Sequence, residues 1–258
     1  MPLANWTWRG VQQFIRDHFG LEMSRSSCLR YLHRLGFVWK RPKKRLVKAD
    51  PVKRADFVKD YAALQEQPES KRFFVDEAHF RADGDLHGKW TQRGQPALVD
   101  STSPRLGEKV TYYSAVCVET GEVESLALEG YSSPEASVLF LRQLRRSQAA
   151  PLLIIWDNGP AHSGEAVRAY LTEPEVRMRL LRLPPYSPDY NADEAIWKWV
   201  RAEATTNTCL GTAAKVRERV DAFFATLPQR TEEVKRRCRT LLHAEVAALT
   251  SVQVSLGH

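Results

Sequence analysis

The sequence predicts an α/β domain, a mixed sheet flanked by helices, preceded by a small all-α unit. Three observations carry that prediction. Before residue 70 the apolar residues recur at helical spacing, and from residue 71 they change to short strand-like runs. Those runs then alternate with helical ones in the order three strands, helix, strand, helix, strand, helix, which builds layers and excludes a bundle or a sandwich. The charge is also divided: residues 1–60 carry 14 Lys/Arg against 5 Asp/Glu, a net of +9, and residues 61–258 carry 24 against 26. A basic head therefore precedes a nearly neutral body, and the polar stretch QEQPES reads as the hinge between regions 1–68 and 69–258.

The bulk composition narrows the class. With 43% hydrophobic and 27% charged residues, the 258-residue chain is expected to be an ordinary soluble protein. Its longest apolar run is about five residues, too short for a bilayer span. The start MPLANWTWRG lacks the apolar stretch of a secretory signal. Cys28, Cys117, Cys209 and Cys238 lie far apart with no CxxC pair, which disfavours a zinc module and suggests free thiols in a reducing cytoplasm.

In the head, RGVQQFIRDHF (9–19) places Val11, Phe14, Ile15 and Phe19 at helical spacing. A short connection through Gly20 leads to a second helix with Ser24 or Ser26 as N-cap and Leu29, Leu32 and Leu35 turned inward. Helix, short turn, helix is the helix-turn-helix plan, whose second helix reads the DNA major groove. Arg25, Ser27, Arg30 and Arg34 fall away from the leucine stripe and are candidate DNA contacts. The stretch FVWKRPKKRLVKA is too basic and proline-broken for a core strand. It reads as a winged-helix-like wing or an arm on phosphates, with Lys40, Arg41, Lys43, Lys44 and Arg45 as contacts. A merely solvated basic face is the plain alternative. Asp50-Pro51 starts a linker helix running to about Gln67, with a capping side chain and proline at the first helical position.

In the body, RFFVDEA is a short apolar run ending in carboxylates. KVTYYSAVCVETGEVESLALEG makes two strands joined through Thr120-Gly121. SPEASVLFLRQLRRSQ is a capped helix, LLIIWD a strand, SGEAVRAYLTE a helix, VRMRLLRLP a strand and NADEAIWKWVRAEA a helix, with two further amphipathic helices at the end.

Asp76 and Asp157 each end a short apolar strand, the place from which side chains reach ligands beyond the carboxyl edge of an open α/β sheet. Asp157 alone would also suit a turn, since Asp-Asn-Gly is good turn chemistry. Two such carboxylates on neighbouring strands point instead to a shared proton or cation. The third candidate lies in LPPYSPDYNADEAIWKWV. Asn191 with Glu194 reads as a capping box, and Asp193 also suits the first helical turn. Asp193 points along the buried face set by Ile196, Trp197 and Val200, and Glu194 sits near its border; spacing leaves the choice between them open. Carboxylates without a His/Cys cluster form a hard oxygen site for Mg²⁺ or Mn²⁺, suited to two-metal phosphodiester chemistry. His162 and Asn158 are neighbours of Asp157; His162 either orients it, contacts DNA or packs at the next helix start. His79 and Glu77 lie near Asp76 without a role to assign.

FFVDEAHF, LLIIWDNGPAHSG and LPPYSPDYNADEAIW resemble the three catalytic blocks of mariner-type transposases, nearest their bacterial insertion-sequence branch in the DDE superfamily. KWTQRGQP and RSSCLRYLHRLGFVWKRPKKR resemble further blocks, so the resemblance covers nearly the whole chain. It implies an RNase H-like catalytic domain, takes Asp76, Asp157 and Glu194 as ligands of two metal ions, and so selects Glu194 over Asp193. It implies hydrolysis at transposon terminal inverted repeats and strand transfer into target DNA at TA, by a homodimer on double-stranded DNA. For a bacterial protein it implies a cytoplasmic location, nucleoid-associated when DNA-bound. Two departures are visible. Ala192 stands where the family usually has proline after the asparagine, followed by an extra acid, Asp193, and the head matches the second half of a usually bipartite DNA-binding region. The rival functions are a DNA-binding regulator or decayed transposase without chemistry, and a two-carboxylate glycosidase. The latter leaves the basic head unexplained.

Overall fold

The computed structural model describes residues 6–40, 48–65, 70–101, 108–128 and 130–256, with side chains to 251. The chain divides into two compact units, residues 1–45 and 46–258. By contacts the linker helix falls in the second of these units. The linker helix, α3 (Pro51–Gln65), buries Phe57, Val58 and Tyr61 in the core of the second unit and packs on its last helix. Its start is as the sequence indicates, with Asp50 Oδ1 accepting from the Val52 and Lys53 amides at 2.9 and 3.3 Å.

The first unit holds α1 (Trp8–Phe19) and α2 (Arg25–Arg34). Thr7 caps α1, Ser24 caps α2 by accepting from Ser27 N, and Gly20 ends α1 in the left-handed region at φ 66°. Cys28 is the one buried residue of these helices; Leu29 and Leu32 are half-buried and Leu35 is 71% exposed, so the leucine stripe does not close a core.

In the second unit a five-stranded mixed sheet has the order β3-β2-β1-β4-β5. Its strands are β1 (Lys71–Arg81), β2 (Lys109–Val116), β3 (Val123–Leu128), β4 (Leu152–Trp156) and β5 (Met178–Arg182). β2 pairs antiparallel with both β1 and β3, and the expected hairpin joins β2 to β3 through a turn that needs Gly121 at φ 77°. β4 and β5 run parallel to β1, the arrangement that crossover helices impose. α4 (Pro134–Ser147), α5 (Pro160–Ser163) and α6 (Glu165–Thr172) supply those crossovers. The four-residue α5 turn is absent from the sequence reading, being too short to show a period.

Alternation along the strands splits the core in two. Phe73, Val75, Tyr113, Ile154 and Trp156 pack with Phe140, Leu141 and Leu144 of α4. Phe74, Tyr112, Leu153 and Ile155 pack instead with α3 and with α7 (Asp193–Val200), α8 (Ala213–Thr226), α9 (Thr231–Arg237) and α10 (Leu241–Leu256). Three helices, not the expected two, thus follow α7, because α9 and α10 are separated by a break at Cys238. α7 runs on as one π-helical stretch, Arg201–Thr205, and Gly84 packs against it so closely that a Cβ there would lie 1.8 Å from Thr205 O. Among the described residues no helix is long and apolar enough to cross a membrane.

Candidate functional site: a carboxylate cleft

Strand register builds the site. β1 and β4 pair in parallel up to Phe74 opposite Ile155. Two residues further on, Asp76 and Asp157 therefore project from adjacent strands toward the same face. Asp157 lies just past the end of β4, as expected, whereas Asp76 lies in the middle of β1. The apolar run stops at Val75, but pairing with β2 carries the strand on to Arg81, with Asp76 opposite Ser114. A short run of apolar residues marks burial and not strand length.

α7 lies across that face and brings the third acid. Asp76, Asp157 and Glu194 line one cleft of about 440 Å³, walled by Leu183–Pro188, Asn158, Gly159 and Asn191. Asp193 is not among the lining residues: it is fully buried on the same side of the sheet as Asp76, with Oδ2 accepting from Ser114 Oγ at 2.5 Å and Oδ1 without a hydrogen-bond partner. Burial, the charge of Asp76 and that of Glu194 push its pKa well above the usual carboxylate range, against the Ser114 hydrogen bond. The capping box does not form. Asn191 Oδ1 accepts from Asp193 N at 3.1 Å, its amide reaches Val75 O at 3.3 Å, and Ala192 occupies the N-cap without a side-chain bond. Asn191 thus ties the start of α7 to β1.

Asp157 is held by a network. Its Oδ1 accepts from Gly159 N at 2.9 Å and lies 2.6 Å from His162 Nδ1. His162 is wholly buried and stacks on Trp156 with centroids 4.0 Å apart, and its Nε2 sits 2.8 Å from Glu77 Oε2, ion-pair distance without hydrogen-bond alignment. Burial opposes the imidazolium, but Asp157 and Glu77 outweigh it and raise the His162 pKa. The His162 hydrogen bond in turn holds the Asp157 carboxyl below its usual range. Arg182 closes the back of this network by donating to Asp157 O and His162 O at 2.6 and 2.5 Å. Asn158 donates to Leu183 O at 2.9 Å, fixing the start of the proline-rich wall.

The far end of that wall is gripped by Arg54 of α3, a residue that sequence reading missed. Its guanidinium binds Asp189 at 2.9 and 2.7 Å and Ser187 Oγ at 3.1 Å, and lies 3.9 Å from the Tyr190 ring centroid. The two partners are more than 130 residues apart in the chain, so no spacing could have revealed them.

The donor set suits a hard divalent cation. Asp76 is forced well above its normal pKa, first by burial and then by the charges of Glu194, Glu77 and Asp157; a cation in the cleft would favour its carboxylate form. The side chains are not drawn to ligating spacing: among the described residues no three His, Cys, Asp or Glu form a metal-binding group. His79 is turned to Thr111 Oγ1 at 2.9 Å and takes no part in the cleft.

In the first unit, Arg25, Arg30, Arg34 and Lys40 are exposed and Ser27 is half-buried. Arg25 lies over the Trp8 ring at 5.5 Å and Arg34 over Tyr31 at 5.9 Å. Arg41, Lys43, Lys44 and Arg45 lie outside the described residues.

Comparison with known proteins agrees with this organisation. The family described as DDE superfamily endonuclease matches residues 71–216, and a winged helix-turn-helix family matches residues 4–61. An insertion element IS630 uncharacterized 39 kDa protein of Shigella sonnei is 26% identical over 230 residues, 87% of this chain. The chain spans 65% of that relative's length. Among solved structures, the Mos1 transposase paired-end complex with left transposon end is similar with a TM-score of 0.60 at 16% identity, covering 92% of this chain and 80% of that one. The mariner Mos1 paired end complex with Mg gives 0.60 at 16% identity, covering 93% and 81%. At such identities the likeness establishes the fold.

Proposed function

Because the chain belongs to the DDE superfamily endonuclease family, we propose that it is a DNA transposase that cuts phosphodiesters at transposon ends and joins the freed 3′-hydroxyl to target DNA. The observation that carries this reading is the single cleft shared by Asp76, Asp157 and Glu194, fed from adjacent parallel strands and a helix. Asp76, Asp157 and Glu194 would hold Mg²⁺ or Mn²⁺, two ions by the chemistry of in-line displacement. Metal held there would supply activation of a water and charge neutralisation at the leaving oxygen.

The protein's own residues set up that chemistry. β1 fixes Asp76 within the sheet. His162, buried against Trp156 and placed between Asp157 and Glu77, fixes the rotamer of Asp157 and leaves its second oxygen for the cleft. Arg182 locks the backbone on both sides of that pair. Asp193, buried beneath the cleft, anchors α7 to β2 through Ser114 and so helps present Glu194 to the cleft; Asn158 sets the wall.

DNA would be delivered by the basic head, with Arg25, Ser27, Arg30 and Arg34 on α2 and Lys40, Arg41, Lys43, Lys44 and Arg45 on the arm. Double-stranded inverted repeats as the bound ends, TA as target and a homodimer on DNA complete the reading. Neighbours of known structure include Mos1 paired-end complexes, one with the left transposon end, one with Mg and one with Mn.

The test is Asp157→Asn. It should abolish Mn²⁺-dependent cleavage of DNA and the Mn²⁺-induced rise in melting temperature while DNA binding persists. Cleavage as in the parent would reject the assignment. DNA binding without cleavage or a Mn²⁺ response in the parent would favour a chain that only binds DNA.

A further inference from the structure

We propose that Tyr186 is a stacking platform for a nucleobase at the mouth of the carboxylate cleft. Among the described residues three non-glycine positions have positive φ: Arg177, Tyr186 and Asn207. Asn207 is of the type that tolerates this region and uses its side chain to hold His87 N at 2.9 Å. Tyr186, at φ 57°, is an aromatic residue with no such local compensation, so its backbone is held against its own preference. The hold is visible. Asn158 fixes Leu183 at one end of the wall, and Arg54 fixes Ser187 and Asp189 at the other.

Strain maintained from both sides directs a large ring to a place it would not otherwise take. That place is the lining of the cleft that contains Asp76, Asp157 and Glu194, where the side chain stays 52% exposed, although burying an aromatic ring is what normally stabilises it. One face of the ring has the exposed Lys48 Nζ 5.6 Å from its centroid. A flat aromatic face with a cation beside it is the combination that binds single-stranded nucleic acid, the ring taking a base and the ammonium a phosphate. The occupant is therefore a base next to the scissile phosphate, exposed where the strand end leaves the duplex.

This inference rests on the reading of the cleft as a phosphodiester site, and the experiment separates the two. The probe is a duplex with a short 3′ single-stranded tail carrying 2-aminopurine at the first unpaired position, titrated in Ca²⁺. The parent, Tyr186→Phe and Tyr186→Trp should quench the 2-aminopurine and bind alike. Tyr186→Ala and Tyr186→Gly should lose the quench and bind about tenfold more weakly, the scale of one base–aromatic stack. Tyr186→Gly should melt no lower than Tyr186→Ala, since glycine takes this φ freely, so the loss of binding cannot come from a loosened fold. Quenching and affinity unchanged in Tyr186→Ala would overturn the platform. Mn²⁺-dependent nicking of supercoiled plasmid, compared between the parent and Asp157→Asn, tests the cleft alone. Nicking without a Tyr186-dependent quench removes the platform and keeps the site; a quench without nicking does the reverse.

Discussion

Removing the Arg54 side chain is the sharpest test of how the cleft is supported. Arg54→Ala deletes two charge-assisted bonds to Asp189, one bond to Ser187 and the cation–ring contact with Tyr190. A hydrogen bond to a charged group contributes about 1.5–3 kcal/mol net. The Arg54 side chain is only 17% exposed, but Asp189 is 44% exposed, and solvent screening places this pair at or below the low end of that range. With about 0.5–1 kcal/mol from the cation–ring contact, the expected loss of stability is about 2–3 kcal/mol. Arg54→Lys should recover part of it, since an ammonium keeps the charge but not the two-pronged geometry.

The assay is urea unfolding of the parent, Arg54→Ala, Asp189→Asn and the double variant. The coupling between the two sites should be about 1 kcal/mol. The sign with pH is also fixed. Arg54 holds Asp189 below its usual pKa, so the coupling is complete above the unfolded value near 3.8 and fades as pH falls below it. A cycle with no coupling at neutral pH, or Arg54→Ala within about 0.5 kcal/mol of the parent, would refute the role of Arg54.

Two further outcomes follow from the geometry. His162→Ala should weaken Mn²⁺ binding about 10- to 100-fold, read as the midpoint of the Mn²⁺-induced thermal shift, because Asp157 loses the group that orients it; an unchanged midpoint would show that Gly159 N suffices. Glu203 is held down to about 2 by its bonds to Arg230 and Trp199. Its contribution, reduced by exposure to solvent, should be present above pH 4.5 and disappear as pH falls toward 2. Glu203→Gln should flatten that part of the acid-stability curve, and a curve that keeps its slope would exclude Glu203 as the source.

The elements with a strong period were legible in the sequence. LLIIW, the Thr120-Gly121 hairpin and the Ser133-capped helix appear where residue pattern and turn chemistry agree. What stayed hidden depended on contacts distant in the chain. β1 outlasts its apolar run because β2 supplies hydrogen bonds that the β1 sequence does not encode. α3 belongs to the second unit because Phe57 and Tyr61 meet partners such as Tyr190, Phe74 and His243. At the site, the spacing could put Asp193 on a buried face and Glu194 at its border but could not foresee Ser114 as the partner of Asp193. Glu77, passed over as a mere neighbour, lies against the far nitrogen of His162.

The unequal mounting of the three acids has a mechanical consequence. Asp76 is clamped inside a strand that continues five residues beyond it, whereas Asp157 hangs from the free end of β4 and Glu194 rides on the first turn of a helix. Each acid thus answers to a different support: loosening the β1–β2 ladder would displace Asp76, removing His162 would release Asp157, and shifting the start of α7 would carry Glu194, each without the other two.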